Sequence, residues 1–424
     1  MRVFQIHSNN MIKMIKTNKI LLTMLFIAVC LSSCPQIANS RSIFPVEIEQ
    51  FSIQKIMVGA EQTSLYLPLL KGKRVGLVVN QTSRLINENG KSLHLVDHLL
   101  ANGIKVSVIF APEHGFRGNY DAGAKFATNI DEKTGLPIVS IYGKTRKPSA
   151  EIMAKIDVLI FDIQDVGVRY YTYISSMHYA MEAASDAGVQ FIVFDRPNPN
   201  ISLVDGPMLD PKFRSFVGMD EIPLLHGMTV GELALMIKGE KWLKTVKNLS
   251  LTVIPVKNYT RNSMYTLPVK PSPNLPNQSA VYLYPQLGFF EATPVSVGRG
   301  TPFPFQIIGN DKVKLGRFEF KPVSTSGAAL KPKLMNKQLY GRDFRGINSP
   351  AFDLFIFFNT YHQFKKAGLK FITRPKFLDK LAGTDKFRKA LLSDESLKNI
   401  KQSWQAEINE FKELRQAYLL YKDE

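Results

Sequence analysis

Short apolar runs closed by polar residues recur along the first half of the chain. Residues 74–80 read Arg-Val-Gly-Leu-Val-Val-Asn, a run suited to a buried strand. Runs of the same kind at 106–110, 158–161, 191–194 and 251–256 predict further strands. Between them lie stretches with helical spacing. In 92–102, Leu93, Val96, Leu99 and Leu100 share one face, and Gly103 supplies a C-terminal stop. An Ala-rich helix is expected over 175–187, ending at Gly188. Another is expected over 230–238, where Thr229 and Glu232 have the spacing of a capping box.

Continuous apolar strands alternating with helices argue for an α/β fold. Its parallel sheet would be covered on both faces. In such sheets ligands bind in the crevice beyond the strands' C-terminal ends, where each run here opens into a polar loop. No Gly-x-Gly-x-x-Gly follows the first strand, so a dinucleotide fingerprint is missing.

The pattern changes near Pro268, Pro271, Pro273 and Pro276, whose rigid backbone excludes a helix and places a domain boundary there. The division read is an export segment over 1–34, a larger domain over 45–268 and a smaller one over 269–424. In that last part, 354–358 predicts a strand and 402–422 a long helix. Trp404, Ile408, Phe411, Leu414 and Tyr418 form the helix's packing stripe.

The N-terminus alters the setting. Lys13, Lys16 and Lys19 precede an apolar run over 20–31 with no intervening acid, the n-region and h-region of an export signal. Leu31-Ser32-Ser33-Cys34 resembles the lipobox of bacterial lipoproteins. Cys34 would carry the lipid, leaving the protein anchored to a membrane and facing the periplasm. Cys30 and Cys34 are the only cysteines, so the mature body lacks disulfides, a thiol nucleophile and cysteine metal ligands.

With 45% hydrophobic and 21% charged residues, the composition fits a folded protein rather than a disordered or multi-span one. The net charge of +18 suits an anionic lipid or acidic glycan, or else solvates the surface. No zinc finger, RNP-like pattern or basic helix supports nucleic acid.

Chemistry gathers at the predicted strand ends. Glu113, His114 and Arg117 fall within five residues after the second run, flanked by Gly115 and Gly118. A partly buried Glu113 would serve as a proton donor, and an ion pair with Arg117 is the plainer reading. Asp162 and Asp165 are close enough to suggest a metal or a second carboxylate, with Gln164 free for hydroxyls. Tyr170, Tyr171 and Tyr173 would form a stacking wall. Asn198, His226 and Asn274 occupy further polar loops, Asn274 in a stiff proline frame. Glu291 and Arg299 supply a second acid and a second guanidinium, Arg299 between Gly298 and Gly300. Scattered histidines without His-Glu-x-x-His spacing argue against zinc, and no metal or cofactor is expected.

The stretches APEHGFRG (111–118), FDIQDVGVRYYTY (161–173), FDRPNP (194–199), HGMTVGELA (226–234), PSPNLP (271–276), FEATPVSVGRGT (290–301) and WQAEINEFKELRQAYLLY (404–421) resemble the exo-β-N-acetylmuramidase family, formerly DUF1343. The resemblance spans nearly the whole mature chain in order. It implies a Rossmann-like larger domain, a smaller C-terminal α/β domain and a cleft between them. It also implies release of N-acetylmuramic acid from the non-reducing end of peptidoglycan fragments. Glu113 matches the family's catalytic glutamate. The sequence departs at Ala292 and at Asn200-Ile201-Ser202, where the family commonly has glycines.

Glycoside hydrolysis usually uses two carboxyl groups. Glu113 would be the acid, with Glu291, Asp162, Asp165 or the substrate's own 2-acetamido group as its partner. His114, counted among the catalytic residues, would orient the sugar together with the tyrosines. Arg117, Gln164, Tyr171, Asn198, His226, Asn274 and Arg299 would bind muramyl sugar. The alternatives are a non-catalytic glycan-binding lipoprotein and a phosphatase or esterase in the same cleft.

Overall fold

The computed structural model describes residues 54–423, apart from 87–88, 114, 117–128, 144 and 246. Its central sheet is built from β1 (Arg74–Val79), β2 (Lys105–Ala111), β3 (Pro137–Ser140), β4 (Val158–Asp162), β5 (Gln190–Phe194) and β6 (Leu251–Ile254). They run parallel in the order β6-β5-β4-β1-β2-β3, and Asn129–Ile130 adds a short antiparallel edge.

Strand alternation explains why the runs are apolar throughout. Val78, Phe110, Phe161 and Val193 line up across the sheet and enter one core. Their neighbours Leu77, Ile109, Ile160 and Ile192 line up on the opposite face and enter a second core. Both faces are buried, so neither set can be polar. Helix α1 (Leu95–Ala101) covers the second face, while α2 (Tyr173–Ala187) and α3 (Val230–Gly239) cover the first. Gly188 closes α2 at φ 69°, the left-handed stop its position predicts. Thr229 and Glu232 form the reciprocal capping box at the start of α3.

The C-terminal lobe contains α4 (Gln278–Leu287) and a small antiparallel sheet ordered β7-β9-β8, from Ile307–Asn310, Leu339–Asp343 and Phe318–Phe320 respectively. Phe289, Phe290, Phe357 and Trp404 of this lobe join the same core as Val78 and Phe161. The two lobes therefore share one apolar interior.

Three local expectations are corrected. Residues 354–358 are not a strand but enter α5 (Phe355–Lys366), in which Phe357, Phe358, Tyr361 and Phe364 are buried. The run reads as continuous because it includes Phe355, which is exposed, beside Leu354, Phe357 and Phe358, which are buried on one helical face. Residues 92–94 form a hairpin strand with Arg84–Ile86, so α1 starts at Leu95. The long C-terminal helix is divided into Leu397–Gln402 and Gln405–Arg415. Trp404 sits at the break, buried and donating from Nε1 to Asp205 Oδ1 at 3.0 Å. Ile408 and Phe411 are buried as the stripe requires, but Leu414 is exposed.

Among the described residues no helix is long and apolar enough to cross a membrane. Residues 1–53, with Cys34 and the export segment, lie outside those described.

Candidate active site

β1 lies between β2 and β4, so successive connections leave it toward opposite edges of the sheet. The crevice at such a switch point usually receives the ligand. Here it is closed by the protein's own side chains. Arg196 grips Asp162 through two bonds, Nε to Oδ1 at 2.6 Å and Nη2 to Oδ2 at 2.9 Å, and also donates to the Arg84 carbonyl. Thr82 Oγ1 accepts the Gln164 backbone N–H at 3.0 Å, tying the two loops together.

The open pocket lies one strand over, beyond β2. Glu113, Tyr170, Tyr171 and Thr172 line it from the sheet side, and Ser272, Asn274, Leu275, Tyr284, Arg299 and Phe305 from the lobe side. Glu113 follows β2 directly. Its Oε1 accepts from the Tyr142 hydroxyl at 2.9 Å and its Oε2 from Thr172 Oγ1 at 3.0 Å. Tyr142 is carried by the loop after β3, and Thr172 occupies the N-cap position of α2. The Thr172 side chain makes no cap bond to that helix and serves Glu113 instead. Burial, then the neighbouring Glu113 charge, pushes the Tyr142 phenol well above its usual range, so it remains a donor.

The tyrosine wall is built by hydroxyls reaching carbonyls of the lobe. Tyr170 Oη lies 2.8 Å from the Tyr284 carbonyl and 2.7 Å from that of Pro285, in the last turn of α4. Tyr171 Oη donates to the Pro271 carbonyl at 2.9 Å. Gln81 Nε2 donates to the same oxygen at 3.0 Å, so the proline loop is pinned from two strand ends.

Arg299 enters from the opposite side. Gly298 and Gly300 flank it at φ 80° and 79°, left-handed geometry that side chains resist. A Cβ on Gly298 would also stand 2.6 Å from the Phe303 carbonyl. The guanidinium lies over the Phe305 ring at 4.9 Å and donates from Nε to Glu291 Oε1 at 2.8 Å. Burial alone would raise the Glu291 carboxyl, but Arg299, Lys333 and Arg374 outweigh it and hold it below its usual value. Lys333 donates to the carbonyls of Phe290 and Thr293, and burial pushes its pKa down to about 8.

The other sequence candidates have different surroundings. Asp162 is fully buried in its ion pair with Arg196 and does not line the pocket. Asp165 accepts the Gly167 N–H at 2.7 Å, and burial pushes its pKa up to about 7. It does not line the pocket. Gln164 Nε2 donates to the carbonyls of Asp165 and Pro197, and the residue does not line the pocket. Asn198 bridges the Met228 carbonyl and the Asn200 N–H. His226 is fully enclosed, and burial lowers its pKa to about 3, leaving a neutral ring inside the fold. Neither Asn198 nor His226 lines the pocket. His114 and Arg117 lie outside the described residues. Among the described residues no group of three or more His, Cys, Asp or Glu side chains is arranged to hold a metal.

Tyr142 and Thr172 were missed from the sequence. The run at 138–141 that ends before Tyr142 signals a strand, but its mixed flanks hide it. Thr172 stands among three tyrosines that draw attention first.

Comparison with known proteins bears directly on this pocket. Residues 75–279 match the family model described as exo-beta-N-acetylmuramidase NamZ, N-terminal, and residues 282–421 match its C-terminal counterpart. The chain is 39% identical over 377 residues to the peptidoglycan beta-N-acetylmuramidase NamZ of Bacillus subtilis (strain 168), covering 84% of this chain and 89% of that protein. A crystal structure of a DUF1343 family protein from Bacteroides fragilis NCTC 9343 matches with a TM-score of 0.78 and 44% identity, over 87% of this chain and all of that one. A second DUF1343 structure from the same strain matches with a TM-score of 0.73 and 29% identity, over 87% of this chain and 99% of that one.

Proposed function

The chain belongs to the exo-β-N-acetylmuramidase family, and on that basis we propose that its pocket takes the terminal muramyl residue with Glu113 at the scissile bond and Arg299 at the lactyl group. It is an exo-acting glycoside hydrolase of peptidoglycan-derived muramyl saccharides. Attack is at the non-reducing end.

The observation that carries the residue assignment is the meeting of Glu113 and Arg299 in one pocket walled by tyrosines. Glu113 is the acid that protonates the leaving glycosidic oxygen, held in aim by Tyr142 and Thr172. N-acetylmuramic acid differs from N-acetylglucosamine by a lactyl ether carrying a carboxylate. A guanidinium fixed at Nε by Glu291 keeps its other edge for that anion. Glu291 is thereby the group that orients Arg299. Asp162 and Asp165 hold the sheet-end loops. The attacking group is then water or the substrate's 2-acetamido oxygen.

The N-terminal segment fits export followed by lipid attachment at Cys34, which would hold the enzyme at a membrane facing the periplasm. The direct test is hydrolysis of a chromogenic β-N-acetylmuramide beside the matching glucosaminide. Turnover of the muramide with a large preference over the glucosaminide is expected. Equal rates would remove the lactyl clamp, and an intact protein that turns over neither would favour a glycan-binding lipoprotein.

A further inference from the structure

We propose that Asn274 reads the 2-acetamido group of the terminal sugar, its Oδ1 accepting a hydrogen bond from the amide N–H. This rests on the reading that the pocket holds a muramyl residue between Glu113 and Arg299.

Asn274 lines the pocket but is only 3% exposed. Its Nδ2 donates to the Ala328 carbonyl at 2.8 Å, which fixes which end of the amide is oxygen. The Oδ1 that remains is buried and has no hydrogen-bond partner among the described residues. Buried acceptors are nearly always satisfied, so this oxygen calls for a donor, water in the free protein and the sugar when it is bound.

The oxygen is also held still. Leu275 N donates to the Ser272 carbonyl at 3.1 Å, closing a tight turn around Asn274 between Pro273 and Pro276. Pro271, at the base of that turn, is fixed by Tyr171 and Gln81. The turn therefore holds this acceptor in a fixed position at the pocket wall.

The chemistry selects the donor. Glu113 takes the oxygen on C1 and Arg299 the lactyl ether on C3. C2 stands between them, and its only donor is the acetamido N–H. The C4 and C6 hydroxyls lie toward the other edge of the ring.

The test compares an aryl muramide with its 2-O-acetyl ester analogue, which keeps the shape and loses the N–H. Wild type is expected to favour the amide in kcat/KM by at least about 10–100-fold. Asn274→Ala should shrink that preference by about the same factor, chiefly by slowing the amide. Asn274→Asp keeps an acceptor but loses the bond to Ala328, and should retain most of the preference. If only the sugar's own carbonyl assists the reaction, the preference persists in Asn274→Ala and the proposal is overturned. A collapse in both variants also overturns it, by assigning the effect to the Ala328 bond. Wild type that turns over no muramide defeats the reading of the pocket and this inference with it. Muramide turnover with an unmoved preference defeats the inference alone.

Discussion

Replacing Glu113 by Gln removes a proton donor while changing the shape of the site very little. Oε1 continues to accept from Tyr142, now 2.9 Å away. The new amide nitrogen faces Thr172 Oγ1, which is 3.0 Å from Oε2, and that hydroxyl can turn to accept. Both bonds persist in altered form, so the change in hydrogen bonding should cost roughly 1 kcal/mol or less for each. Stability should therefore change by about 2 kcal/mol at most. A general acid contributes ~10²–10⁴ in rate, or about 2.7–5.5 kcal/mol of barrier at 1.36 kcal/mol per tenfold. The catalytic loss should therefore far exceed the stability loss. The assay is release of N-acetylmuramic acid from a muramyl-glucosamine disaccharide, with thermal unfolding alongside. An aryl muramide serves as a control, because a good leaving group needs little protonation and its rate should fall much less. A variant whose kcat on the disaccharide stays within about threefold of wild type would refute the assignment. Equal losses on both leaving groups would leave Glu113 important but not as the acid.

Arg299→Lys keeps the charge but loses the bond to Glu291 and the planar fork, and should cut the muramide-to-glucosaminide ratio of kcat/KM by about tenfold. An unmoved ratio rejects the clamp. Asp162→Ala strands the buried Arg196 charge and should destabilise by about 3–5 kcal/mol in denaturant unfolding, whereas a loss below about 1 kcal/mol would mean the pair is not structural. Burial disfavours a charged His178, but Asp220 at 2.8 Å and Glu182 outweigh it and push its pKa up to about 9. Because the folded value lies above the unfolded ~6.5, that stabilisation is complete below pH 6.5 and is lost as pH rises through 9. His178→Asn should flatten the decline, read by melting temperature from pH 6 to 10, and an unchanged slope would contradict the imidazolium. Cys34→Ala should move the protein from the membrane fraction to the soluble one, and a wild type that is membrane-bound without lipid would exclude the anchor.

Local rules determined the parts of this protein that depend on periodicity and on single residue types. The parallel strands at 74–79, 105–111, 158–162, 190–194 and 251–254 were legible because burial on both faces demands unbroken apolar runs. Gly188 and the Thr229–Glu232 box were legible because helix ends have fixed chemical needs. Motif resemblance singled out Glu113, which lines the pocket. The helix at 355–366 was not legible at 354–358, because a short apolar run that includes the exposed Phe355 has the same local composition as a buried strand. Nor can adjacency along the chain say which acids share a site. Asp162 and Asp165 stand closer to Glu113 in sequence than Arg299 does, yet β4 turns Asp162 onto Arg196, while the C-terminal lobe brings Arg299 into the pocket of Glu113. Tyr142, Thr172 and the unmatched oxygen of Asn274 acquire their roles only when separate strand ends and the proline loop converge. Such long-range contacts are set by sheet order and lobe packing, which no short window of sequence contains.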